Sequence, residues 1–81
     1  MVSFEGMQPF VVSIEVVCGR MDGIYVFGVP IGVELATSSR RAFSQAIQRW
    51  PYRRNLLKPE PWENVSPEDR MMALEADRQI C

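Results

Sequence analysis

Apolar and polar positions alternate through residues 10–18, then switch to a helical period further along the chain. Phe10, Val12, Ile14, Val16 and Cys18 fall on one side of an extended strand. Val11, Ser13, Glu15 and Val17 fall on the other. Gly19-Arg20-Met21-Asp22-Gly23 reads as a turn, with Asp-Gly as its tightest signal. Residues 24–29 predict a second strand, with Ile24 and Val26 on one face and Tyr25, Phe27 and Val29 on the other. The result is an antiparallel hairpin with apolar side chains on both faces. At least one long edge carries no Pro or Lys to deter further pairing. Either each face is covered by a helix, or a second chain covers a face or an edge.

Pro30 lacks an amide donor, so it marks an edge or the end of pairing on its side. Residues 31–36 are either a continuation of the second strand past a bulge or a short third strand. Gly28-Val29-Pro30-Ile31-Gly32 is Gly-rich but has no Gly-Lys-Ser/Thr ending, so it reads as a bulge or turn within the sheet.

Thr37-Ser38-Ser39 offers N-cap hydroxyls for a helix from residue 40 to 49 or 50. Ala42, Phe43, Ala46, Ile47 and Trp50 form its apolar face, and Arg40, Arg41, Ser44, Gln45, Gln48 and Arg49 its polar face. Pro51 ends or kinks it. Residues 52–57 admit another helical turn. Lys58-Pro59-Glu60-Pro61 predicts a stiff, extended connector. In Ser66-Pro67-Glu68-Asp69, Ser66 caps, Pro67 suits the first helical position and Asp69 stands where a capping-box acid belongs. A helix over 67–79 follows. Its apolar pattern is loose: Met72, Ala73, Ala76 and Ile80 share a stripe, with Met71 and Leu74 on the other side. The cap therefore carries this assignment more than the periodicity does. The predicted fold class is α+β: an N-terminal antiparallel β-hairpin, extended to three strands in one reading, followed by two α-helices in a single domain over residues 1–81.

Composition narrows the chemistry. The chain has 81 residues and no His, which removes imidazole bases and imidazole metal ligands. Cys18 and Cys81 are its two cysteines, without zinc-site spacing. Free thiols are the expectation, a Cys18–Cys81 bridge the alternative. No residue set supplies nucleophile, base and orienter together, so no catalytic, cofactor or metal site is predicted and the chain reads as a non-enzyme. The apolar run over 24–33 is broken by Gly28, Pro30 and Gly32 and is far short of the roughly 20 residues a membrane helix needs. The first residues lack a basic stretch followed by an apolar one. No membrane association and a cytoplasmic location are expected.

The net charge of −1 hides a partition. Residues 38–58 hold Arg40, Arg41, Arg49, Arg53, Arg54 and Lys58 with no acid, whereas residues 59–81 hold six acids against Arg70 and Arg78. Either the acidic segment folds back on the basic one, or the basic segment meets an external partner. Arg49, Trp50, Tyr52, Arg53 and Arg54 interleave aromatics with guanidinium groups, the side chains most often found as interface hot spots. They form the predicted partner-binding corner, unless Trp50 merely closes its helix face. The expected function is that of a small regulatory or inhibitory protein that binds another protein, in the style of a phage- or mobile-element-encoded inhibitor of host machinery. Two alternatives stand beside it: nucleic-acid binding through residues 40–58, and a structural subunit of a larger assembly. The two-faced hairpin also points to a homo-oligomer.

Overall fold

The computed structural model describes residues 6–53 and 55–79. The alternating segment forms β1 (Gln8–Arg20), which pairs antiparallel with β2 (Gly23–Ala36). A two-residue turn joins them, and Gly23 there has φ 151°, a conformation that needs glycine. The register shifts between Val12 and Ser13, which pair with Gly32 and Pro30, leaving Ile31 as the extra residue of a bulge. Residues 31–36 are thus the continuation of the second strand. The facing of both strands follows the sequence pattern, with Val16 opposite Phe27 on one face and Val17 opposite Val26 on the other.

The third strand lies elsewhere. The segment predicted to be a connector is β3 (Leu57–Pro61), which pairs antiparallel with Phe10–Ile14 and gives the sheet order β2-β1-β3. The chain order is therefore two strands, a helix, a strand and a helix. Prolines are tolerated here because of the phase of the ladder. The Glu15 N–H donates to the Leu56 carbonyl (3.1 Å), so odd-numbered β1 residues turn their backbone groups toward β3. Pro59 and Pro61 sit opposite Val12 and Phe10, so their missing amides face outward. The same two prolines leave that outer edge poor in donors.

α1 (Ser39–Arg49) starts where Ser38 Oγ accepts from the Arg41 N–H at 3.2 Å, and ends at Trp50. It covers the Phe10/Val12/Ile14 face, where Ala46 packs with Val12, Ile14 and Leu57, and Ala42 packs with Phe10 and Ala36. Phe43, Ile47 and Trp50 close the edge of this layer, as the helical spacing predicts. A 3-10 turn (Pro51–Arg53) follows, and another (Trp62–Asn64) leads into α2 (Pro67–Gln79). The second helix covers the opposite face, joining Val11, Val65 and Ala73 with Val33 and Trp62. Arg70 anchors its start by donating from Nε to the Trp62 carbonyl at 2.8 Å, with its guanidinium 5.3 Å from the Trp62 ring. The stripe that packs differs from the predicted one: Ala73 is buried and Ala76 half-buried, but Met72 is 49% exposed, and Ile80 lies outside the described residues. With so little apolar periodicity, neighbours rather than the helix itself select the face. The capping prediction holds: Ser66 Oγ accepts from the Asp69 N–H at 3.3 Å. Ser66→Ala is expected to lower stability by about 1 kcal/mol, read as a shift in the thermal melt. An unchanged melt would mean this hydroxyl does not hold the helix start.

The helices are too short for the strands. Eleven and thirteen helical residues rise about 16 and 20 Å, whereas a thirteen-residue strand runs about 43 Å. The hairpin therefore extends past its cover, and the molecule measures 56 × 27 × 24 Å.

Candidate functional site: the projecting arm and the arginine corner

Every residue from 17 to 28 is exposed, in a two-stranded ribbon with neither helix across it. On one face stand Val17 (63% exposed), Ile24 (76%) and Val26 (60%). On the other stand Tyr25 and Phe27, both more than a third exposed. Met21 crowns the turn. Residues 23–29 contain no charged side chain. The arm's polar features lie at its end: the Tyr25 hydroxyl donates to Asp22 Oδ2 at 2.7 Å, and Arg20 lies 5.9 Å from the Tyr25 ring. The bond to Asp22, with slight desolvation, raises the phenol above its ordinary pKa of 10.0. Cys18 is exposed on this ribbon as a free thiol. Cys81 lies outside the described residues.

The predicted corner divides in two. Arg49, at the end of α1, turns inward along the β2 edge. Its Nη1 donates to Glu34 Oε1 at 3.1 Å and to the Val33 carbonyl at 3.2 Å, and its Nη2 donates to Asp77 Oδ1 at 2.6 Å. The guanidinium also stacks 4.3 Å from the Trp50 ring centroid. Burial opposes the charge on Arg49, but the hydrogen bonds of Asp77 and Glu34, with their charges, outweigh it and hold the group above its ordinary pKa. At this point the acidic C-terminal segment does meet the basic one. Trp50 is half-buried against the sheet. Tyr52 is 100% exposed, and Arg53 is exposed with its N–H donated to the Trp50 carbonyl. Arg54 lies outside the described residues. Because Ile31, Trp50 and Arg53 line one depression, the outward half of the corner stands beside the root of the arm.

Polar side chains close the rest of the β2 edge. Val33 is bracketed by Arg49 on its carbonyl and Asp77 on its N–H (3.4 Å), and Gln45 Nε2 donates to the Leu35 carbonyl at 3.2 Å. The unprotected hairpin edge expected from the sequence is thus bare in the arm but covered at the base. The sequence signal for the arm was the mismatch between strand and helix lengths.

On the outer face of α1, Ser38, Arg40, Arg41, Ser44, Gln45 and Gln48 line an open polar depression of about 590 Å³. Among the described residues, no three Cys, Asp or Glu side chains converge as a metal site would require. No helix among the described residues is long and apolar enough to cross a membrane. No protein-family model, curated protein or solved structure matches this chain.

Proposed function

We propose that this protein acts by binding another protein, as a small regulatory or inhibitory chain, and that the arm over residues 17–28 is its main contact. One observation carries this reading: a ribbon whose two charged side chains, Arg20 and Asp22, lie at its tip, with Val17, Ile24, Val26 and Phe27 all more than 40% exposed, held clear of the core. Soluble domains rarely present apolar strand surface of this kind unless it meets a partner. Tyr52 and Arg53 extend the contact at the arm's root, Arg53 offering a planar donor fork for acidic or carbonyl groups. Arg49 and Trp50 support the corner from within.

A nucleic-acid reading draws on Arg40 and Arg41, which are exposed and make no ion pair among the described residues. The acidic residues Glu15 and Asp22 on the hairpin weigh against it. The two are separated by affinity capture from the native host, with wild type beside two double variants. Val17→Asp with Ile24→Asp is expected to lose at least tenfold of the captured protein partner. Arg53→Ala with Arg54→Ala should weaken capture less. Retention by the arm variant together with loss by the corner variant would move the contact to the corner. Capture of nucleic acid that falls steeply with salt would favour the alternative.

A further inference from the structure

We infer that the β2 edge of the arm pairs with a second copy of this chain, antiparallel and centred on Val26, so that two sheets join into one across a two-fold axis. This deepens the protein-binding reading and rests on it. The backbone phase comes first. Odd-numbered β1 residues turn away from β2, so their β2 partners Ile24, Val26 and Gly28 turn their N–H and C=O groups outward. No partner for these groups exists among the described residues.

The β1 edge of the arm is also open, but beyond Leu56 it turns only Val17 and Gly19 outward, between the charged Glu15 and Arg20, a shorter stretch than that of β2; the sheet edges beside the helices are closed. Pro59 and Pro61 remove outward donors from β3, and Gln45, Arg49 and Asp77 occupy the base of β2. The open stretch is bounded by the turn at Asp22-Gly23 on one side and by Pro30 on the other. Its midpoint is Val26. An antiparallel pairing about that point matches Ile24 with Gly28 and Val26 with its own counterpart, so the outward backbone groups of these three β2 residues all find partners. Shifting the register by two in one direction brings Pro30 opposite Ile24 and loses a donor; shifting it the other way runs into the turn.

Side chains agree with this register. Tyr25 falls opposite the other copy's Phe27 in the closer, non-hydrogen-bonded kind of pair, twice across the axis. Ile24 falls opposite Gly28, a large residue over a small one. No charge occurs in 23–29, so pairing a copy with itself sets no like charges opposite each other. The overlap ends before the capped base of β2, so the two helical bodies lie at opposite ends and do not collide. Ile24, Tyr25, Val26 and Phe27 expose together on the order of 450 Å² per copy, an upper bound on their share of the contact, which places it at or below the low end of specific interfaces. Association through so small an interface is expected to be weak and concentration-dependent.

The two-fold position permits a charge-swap test. Sedimentation of the full chain at about 50 μM, a concentration suited to an interface of that size, should give twice the 9.3 kDa chain mass. Val26→Lys and Val26→Glu should each be monomeric there, because identical charges would sit directly opposite each other. An equimolar mixture of the two should regain the dimer, which also shows that both variants fold. A monomeric wild type overturns this pairing, and leaves the protein-binding reading to be judged by the capture experiment. A dimer that survives both substitutions, or a mixture that stays monomeric while both variants keep wild-type circular dichroism, overturns the Val26-centred register.

Discussion

Arg49→Ala is expected to destabilise the protein by about 2–3 kcal/mol, a large share of what so small a domain possesses. The reason is what the guanidinium leaves behind. Glu34 is 8% exposed, the one charged residue that is buried among those described. Its carboxylate and the Val33 carbonyl would both lose a donor, and Asp77 would lose a 2.6 Å partner. Breaking a fully buried pair costs about 3–5 kcal/mol. The lower figure applies because the Arg49 side chain is 31% exposed and water can reach part of the vacated site. Removing both partners should recover part of the loss, so Arg49→Ala with Glu34→Gln is expected to be more stable than the sum of the single changes. Urea titration of the four proteins measures this. Additive effects, or an Arg49→Ala change below about 0.5 kcal/mol, would show that the bridge contributes little.

Gly32→Val is expected to cost about 3 kcal/mol or more, with Gly32→Ala intermediate. Gly32 needs glycine for space, since its φ is not positive. A Cβ there would lie 2.7 Å from Trp50 Cη2, 3.0 Å from Cζ2 and 3.1 Å from Asp77 Oδ1. The indole is wedged between the sheet and the Arg49 guanidinium, and Asp77 is tied to that same guanidinium. Neither neighbour can yield without moving the other, so both helices would shift on the sheet. A Cβ added at Gly19 would meet nothing within 4 Å, and the residue has no positive φ, so Gly19→Ala serves as the tolerant control. Thermal melts that placed Gly32→Val beside Gly19→Ala would mean the junction repacks freely.

Much of this molecule was legible from local rules. The hairpin facing from Phe10 to Val29 follows from side-chain alternation, which any extended backbone imposes. The start of α2 followed from Ser66 and Pro67, because a cap acts on the amides beside it. The apolar face of α1, from Ala42 to Trp50, followed from helical spacing. The two-faced hairpin with an unguarded edge was legible too, and the arm is where that surplus of apolar surface remains.

Tertiary structure decided what depends on residues far apart in the chain. A two-proline segment is a strand only because β1 supplies a ladder whose phase turns both missing amides outward. The packed stripe of α2 was chosen by Val11, Val33 and Trp62, since Met71, Met72 and Leu74 offer apolar surface in several directions. Arg49 reads in sequence as one more member of a basic cluster. Its role is set by Glu34 and Asp77, 15 and 28 positions away, which meet at the β2 edge only when both helices have docked. Charge and aromatic content are properties of the sequence, but whether a side chain is spent inside or left for a partner depends on which elements fold against it.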